Sequence, residues 1–372
     1  MTTDKKLRLG VIFGGRSGEH EVSLASARSV LDALDPHKYE ITQIGISKTG
    51  QWLVGENVWE VLLDGRAEDL TSATLLPIPG RSVLYTIQPH ETGEILQSLT
   101  SLDVVFPVLH GTFGEDGTLQ GLLEMADLAY VGAGVLGSSV GMDKGVFKDV
   151  MLANDIPVVE SVIVLRREIE NDIEVIVNRV EELAPYPVFV KPANMGSSVG
   201  VSKCKNVLSL KEGLRDAARY DRRILVERGV NAREIELSVL GNDAPRASIP
   251  GEICPTAEFY SYEAKYHDNN SELLIPAPVS PEQTAYLQEI AVRAYKAIDC
   301  AGMARVDFMI DKDTGNIYLN EVNTIPGFTP ISMYPKLWSA SGLPYPDLID
   351  ELVNLALERR ADRDQTEWGF DF

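Results

Sequence analysis

Two strand-like runs near the carboxyl end, Ala304–Ile310 and Ile317–Asn323, hold the side chains best suited to chemistry. Alternation along the first puts Arg305, Asp307 and Met309 on one face and Val306, Phe308 and Ile310 on the apolar one. Along the second, Ile317, Leu319, Glu321 and Asn323 share a face. A hairpin through the turn residues Asp311–Asn316 that sets Asp307 opposite Glu321 also sets Arg305 opposite Asn323. Like charges directly opposed destabilise a strand pair, so this register requires a compensating cation. A hard divalent ion on oxygen ligands, with water and phosphate completing the octahedron, describes Mg²⁺. A solvated face satisfied by Arg305 alone is the other reading of the same residues.

Three further segments carry candidate groups. Gly14-Gly15-Arg16-Ser17-Gly18-Glu19 follows an apolar strand and precedes a helix from about Ser23, where backbone amides can meet an anion. It lacks the GxGxxG spacing, and the chain has no GxxxxGK[ST] loop, which disfavours Rossmann and Walker-type sites. Glu19 can hold a substrate ammonium or simply favour a helix start. Lys191 ends the apolar run Val188–Val190 before a small-residue loop, 196–200, and can bind phosphate as a point charge; an edge lysine in a hairpin is the alternative. Residues 196–200 also fit a GxSxG nucleophile elbow, but the same string recurs at 137–141 and only His267 lies downstream as a base. His110 ends a strand before the turn Gly111–Gly117, in the manner of an active-site loop or of a helix cap. The five histidines show no zinc spacing.

Several kinds of element must position these groups. The first third alternates short strands with helices (Leu7–Phe13, Ser23–Leu34, Tyr39–Ile46, Val104–Leu109, Leu119–Met125), which implies βαβ units and a mostly parallel sheet. The Gly/Ser-rich stretch Ala133–Gly141 reads as a boundary. A helix from about Asp143, a strand at Ser161–Leu165, a long helix Glu168–Leu183 and strands Pro187–Lys191, Ile224–Glu227 and Arg233–Leu240 follow. Polar Glu258–Ile275 reads as a mobile loop or a solvated connector, followed by helices Pro281–Ile298 and from Tyr345, and the charged tail Arg359–Phe372 as frayed.

With 34 Lys+Arg against 55 Asp+Glu, the 372-residue chain has a net charge of −21, which disfavours a nucleic-acid partner. Its length suggests two or three domains at about 100–200 residues each. Three dispersed cysteines offer neither a disulfide framework nor a zinc site. No apolar run approaches the roughly 18 residues of a membrane span, and the amino terminus lacks a secretory h-region. A cytoplasmic protein is expected.

The strings GGRSGEHEVSLAS (14–26), HGTFGEDGTLQG (110–121), MDK (142–144), VKPANMGSSVG (190–200), REIELSVLG (233–241), EAKY (263–266), ARVDFM (304–309) and NEVNTIPGFTPISMYP (320–335) resemble, in order, the D-alanine:D-alanine ligases of bacterial cell-wall synthesis. The resemblance runs from about Leu7 to Leu357. It implies an α/β ATP-grasp fold of three α/β domains: a parallel-sheet, substrate-binding domain at 1–141, a central one at 142–240, and a catalytic one at 241–372 with a mobile loop at 258–275. It also implies an ordered reaction through an acyl phosphate, with ATP, two D-alanines and two Mg²⁺ (or Mn²⁺) ions, in a homodimer without membrane or nucleic-acid partners.

Carried over by motif, Lys144 and Lys191 resemble the two lysines that hold the ATP phosphates, Glu227 and Glu234 the contacts at adenine and ribose, and Ser198 a further nucleotide-binding residue. Asp307, Glu321 and Asn323 resemble the metal ligands, and Arg305 with the Gly327 N–H the oxyanion donors. Glu19 resembles the partner of the first ammonium, with His110 nearby, and Ser332 the anchor of the second carboxylate. Ser197 and Tyr266 resemble a hydroxyl pair tying Glu19 to the loop, and Lys265 should reach the transferred phosphate. Arg228-Gly229 stands where some members put an aromatic near adenine. A depsipeptide ligase using D-lactate, another ATP-grasp carboxylate–amine ligase, and a non-catalytic nucleotide-binding module are the alternatives; the intact Lys265-Tyr266 favours the dipeptide.

Overall fold

The computed structural model describes residues 5–254, 272–367 and 369. Among them the strands are β1 (Leu7–Gly14), β2 (Tyr39–Ile46), β3 (Trp52–Val54), β4 (Thr71–Leu75), β5 (Val83–His90), β6 (Gly93–Ser101), β7 (Val104–Val108), β8 (Ala129–Tyr130) and β9 (Ser161–Leu165). They continue as β10 (Val188–Pro192), β11 (Ser202–Cys204), β12 (Arg223–Arg228), β13 (Ala232–Leu240), β14 (Arg246–Ala247), β15 (Gly251–Cys254), β16 (Glu272–Leu274), β17 (Met303–Asp311) and β18 (Ile317–Asn323). They form three sheets: β6-β5-β4-β3-β2-β1-β7-β8, β11-β10-β12-β9, and β16-β15-β13-β17-β18 with β14 on β13.

The apolar run of β1 is buried inside the first sheet, between and parallel to β2 and β7, as a strand covered by helices must be. The other half corrects the expectation of a mostly parallel sheet, because β3 to β6 form an antiparallel meander. Only Glu91-Thr92 joins β5 to β6, too short for a parallel crossover. In the second sheet the long helix expected over Glu168–Leu183 is two, Arg166–Asn171 and Ile173–Leu183. Asp172 adopts an extended conformation and caps the second by accepting the Glu174 N–H at 3.0 Å. Asp143 likewise caps the helix Lys144–Ala153, accepting two N–H bonds of 3.0 Å.

In the third sheet β17 and β18 take the expected register, with Arg305 opposite Asn323 and Asp307 opposite Glu321. A bulge skips Asn320, so Leu319 pairs with Phe308 and joins the core instead of sharing a face with Glu321. Ala232–Leu240, expected in the central segment, pairs with β17 along its whole length and so lies in the third sheet. The expected boundary Ala133–Gly141 is largely helical, Val135–Met142.

The tail is a further correction. The helix Tyr345–Arg363 buries Leu348, Ile349, Leu352 and Val353 in a core shared with Leu9, Phe106 and Phe328. Its last turns grip the first sheet: Arg359 donates to Tyr130 O at 3.1 Å, and also to Gly132 O, with its guanidinium over the Tyr130 ring. First and third sheets thus share one core, which fixes the loops that meet between them. No helix among the described residues is long and apolar enough to cross a membrane.

Candidate active site

Glu19 lies between β1 and the helix His20–Ala33, and two glycines press on it. A Cβ at Gly111 would stand 2.4 Å from its Oε2, and one at Gly196 would stand 2.6 Å from the same atom. Ser197 Oγ donates to Glu19 Oε1, held there by left-handed backbone at Ser197 and Ser198 (φ 50° and 59°). Ser17 accepts the Glu19 N–H at 3.2 Å and donates to His110 O at 2.9 Å. The carboxylate is therefore boxed between the 110–117 and 194–200 loops, a setting that suits an ammonium. Residues 196–200 lead into strand β11 rather than a helix, so no nucleophile elbow exists there.

Asp307 is clasped by Arg305, Nε to Oδ1 at 2.7 Å and Nη2 to Oδ2 at 2.6 Å, and accepts Asn323 Nδ2 at 3.0 Å. Arg305 also pairs with Glu236 at 3.1 Å. Burial alone would lower the guanidinium's pKa, but Asp307 and Glu236 outweigh it and hold it well raised. Among the described residues no group of three His, Cys, Asp or Glu forms a self-sufficient metal site. Two carboxylates and an amide on facing strands instead make an all-oxygen set that fits a hard cation completed by phosphate and water. Arg305 and Asn323 already donate three hydrogen bonds to the two oxygens of Asp307, so a cation there would share those oxygens with these donors.

Glu227 is buried on β12 between two ammonium groups, Lys148 at 2.9 Å and Lys191. Burial pushes its carboxyl up, yet the two lysines prevail and hold it at about 2. Lys191 is also raised against burial by Glu227, with Glu321 and Glu234 adding to the field, so strands β13 and β18 both present carboxylates toward the lysine. Lys144 Nζ donates to Met195 O at 2.7 Å, bracing the glycine loop. Both expected phosphate lysines are thus engaged by protein groups here, and Glu227 acts as a counter-ion.

Gly327 and Ser332 adjoin: a Cβ at Gly327 would meet Ser332 Oγ at 2.8 Å. His110 is buried and both ring nitrogens are used, Nδ1 to Ile325 O at 3.0 Å and Nε2 to Ser26 Oγ at 3.0 Å. It caps no helix. Burial lowers its pKa, so the ring is neutral, and since a carbonyl only accepts, Nδ1 bears the proton.

A D-ala D-ala ligase N-terminus model matches residues 8–133, and a D-ala D-ala ligase C-terminus model matches 150–354. The D-alanine–D-alanine ligase of Natranaerobius thermophilus is 47% identical over 367 residues, 98% of this chain and 99% of its own. The chain belongs to the D-alanine–D-alanine ligase family. Its structure is similar to that of the Coxiella burnetii D-alanine–D-alanine ligase (TM-score 0.81, 37% identity, covering 97% of this chain and 96% of that one). It is also similar to the VanG D-Ala:D-Ser ligase of Enterococcus faecalis (TM-score 0.82, 34% identity, covering 95% and 100%). The fold is the α/β ATP-grasp architecture of these ligases.

Of the residues that the ligase motifs single out, Lys265 and Tyr266 lie outside the described residues, as does 258–271 of the expected loop. Residues 272–274 form β16, paired with β15. Four groups at the site escaped the sequence reading. Lys148 stands four residues after Lys144 on the same helix face, Glu236 shares a strand face with Glu234, and Ser26 and Glu115 sit inside motif strings that were read for other residues. Glu115 accepts the Gly111 N–H at 2.7 Å and the Ile325 N–H at 3.1 Å; burial, then the nearby Glu19 charge, pushes its carboxyl up to about 8.

Proposed function

We propose that the protein joins two molecules of D-alanine into D-alanyl-D-alanine for peptidoglycan synthesis, with ATP cleaved to ADP and phosphate. The Glu19 box carries this reading: a carboxylate fixed by Ser197, confined by Gly111 and Gly196, and close enough to Arg305 that both act on His110 and Glu115. Glu19 receives the ammonium of the first D-alanine, which leaves that substrate's carboxylate to react. A carboxylate is a poor electrophile until its oxygen attacks the γ-phosphorus and ADP departs. The neutral amine of the second D-alanine then attacks the acyl carbon, and the carbonyl electron pair moves onto oxygen, where Arg305 and the Gly327 N–H receive the charge. Collapse expels phosphate, and the new amide nitrogen loses its extra proton.

Ser332 anchors the second carboxylate, and His110 borders the first subsite through Ser17 and Gly111. Lys144, Lys191, Ser198 and Lys265 attend the phosphates, Glu227 and Glu234 the nucleoside, and Tyr266 pairs with Ser197. Asp307, Glu321 and Asn323 would hold Mg²⁺ or Mn²⁺, two ions in this reading, whose contribution when bound is to neutralise phosphate oxygens. When Lys191 turns to phosphate, Lys148 keeps Glu227 neutralised. Cytoplasmic location and a homodimer belong to the same reading and rest on the family alone.

The test is phosphate release with ATP and Mg²⁺ across D-alanine, D-serine and D-lactate, with the products separated. D-Alanyl-D-alanine should dominate at pH 7–8. A mainly depsipeptide or D-alanyl-D-serine product would overturn the acceptor assignment, and no D-alanine-dependent phosphate would overturn the activity.

A further inference from the structure

The segment Ile325-Pro326-Gly327-Phe328 lies between the metal strand β18 and Ser332, and it is held from the opposite side of the cleft. Glu115 Oε1 accepts the Ile325 N–H at 3.1 Å, and the Ile325 carbonyl accepts His110 Nδ1–H at 3.0 Å. The Phe328 N–H donates to Ser26 Oγ at 3.2 Å, and the Ser26 hydroxyl spends its own proton on His110 Nε2 at 3.0 Å. The other oxygen of Glu115 takes the Gly111 N–H at 2.7 Å, which ties it to the loop that borders Glu19. The Phe328 ring meets Phe106 of β7 edge-on, centroids 5.8 Å apart.

Count the peptide N–H groups of that segment. Ile325 is held by Glu115, Phe328 is held by Ser26, and Pro326 has none. The Gly327 N–H has no hydrogen-bond partner among the described residues. Every other donor is consumed by a side chain of the first-sheet unit, and the remaining one points wherever its pinned neighbours direct it. A peptide plane fixed on both sides is preorganised, which is what an oxyanion donor needs if no reorganisation is to accompany the reaction.

We propose that Ser26, His110 and Glu115 act as a clamp from the first-sheet unit that aims the Gly327 N–H at the developing oxyanion. They are positioning residues that need not touch substrate. The inference rests on the proposed ligation and adds to it: the glycine donor is built by one unit and aimed by another, so the oxyanion site exists only where the two units meet.

Ser26→Ala in the full chain is the direct test, because it removes the Phe328 acceptor and the His110 donor without adding volume. Glu115→Gln is the second variant, should the first fail to fold. Steady-state phosphate release should show kcat down about tenfold or more, since a displaced donor approaches the roughly 10²–10³ effect of a lost one. KM for ATP should stay within about twofold, and binding of a tetrahedral phosphinate dipeptide analogue should weaken far more than binding of D-alanine. Two outcomes overturn the clamp: kcat within about threefold of the parent in a folded variant, or a KM for ATP that rises in step with the fall in kcat, as general loosening would give. A parent protein with no D-alanine-dependent phosphate release rejects the ligation instead. Amide exchange then judges the clamp's geometry: Ser26→Ala must deprotect the Phe328 N–H, and unchanged protection would refute it.

Discussion

Gly196→Ala isolates the Glu19 box. The new Cβ would stand 2.6 Å from Glu19 Oε2 and 3.4 Å from its Cδ. Ordinary contact begins near 3.4 Å, so the carboxylate must retreat by about 0.8 Å. It has little room to retreat, because the Gly111 backbone crowds the same oxygen: a Cβ there would stand 2.4 Å from it. Gly196 is not in the left-handed region, so the change adds a clash without backbone strain. A misplacement of about 1 Å can cost about 10²-fold, or about 2.8 kcal/mol at 1.4 kcal/mol per decade. We expect kcat/KM for D-alanine to fall by about that factor while KM for ATP stays near the parent value, read by phosphate release with each substrate varied. Gly121→Ala is the control: no atom lies within 4 Å of its added Cβ, and a helical Gly→Ala change should stabilise by about 0.5–1 kcal/mol. A Gly196→Ala enzyme within about threefold of the parent in kcat/KM for D-alanine would refute the confinement of Glu19.

Three further predictions concern charges. Glu227 is held at about 2 in the fold against an ordinary value of about 4.3; its stabilisation is therefore complete above that value and lost as pH falls toward 2, at up to about 1.4 kcal/mol per pH unit. Urea midpoints should fall more steeply with acid in the parent than in Glu227→Gln, and equal slopes would remove the assignment. Lys148→Met leaves Lys191 as the sole counter-ion of Glu227, so KM for ATP should rise about tenfold with a smaller change in kcat; an unchanged KM would show that Lys191 is not restrained by Glu227. Glu321→Gln should abolish most turnover at saturating ATP while the melting temperature holds or rises, because one of two opposed carboxylates is gone; near-normal turnover would end the metal assignment.

The hairpin that carries Arg305, Asp307, Glu321 and Asn323 was legible because strand alternation and the short turn Asp311–Asn316 leave few registers. The helix starts near Asp143 and at Pro281 were legible for a similar reason, since the signals that open a helix are local. The partners that only the fold creates were not. Alternation could not show the bulge at Asn320 that brings Leu319 into the core, because a bulge is one residue that breaks the period used to read it. Arg359 reads as the start of a frayed tail, since nothing in the sequence places Tyr130 and Gly132 under it. Lys148 and Glu227 are 79 positions apart, and only packing shows that one neutralises the other.

The repeated string Gly-Ser-Ser-Val-Gly shows where local reading stops. At 137–141 it lies inside the helix Val135–Met142. At 196–200 it is a loop with left-handed backbone at Ser197, Ser198 and Gly200. Identical residues cannot account for the difference, so their anchors must. The second copy follows Asn194, whose N–H donates to Asp221 at 2.8 Å, and Met195, whose carbonyl receives Lys144 at 2.7 Å. These bonds hold the chain out of helix, and the Ser197 hydroxyl adds a contact to Glu19 that a helical serine could not reach. A loop of small residues has little side-chain packing to fix its shape, so the groups that tie it down also decide its chemistry. Loosening Asp221 or Lys144 should therefore disturb the Glu19 box without altering any residue of the loop itself.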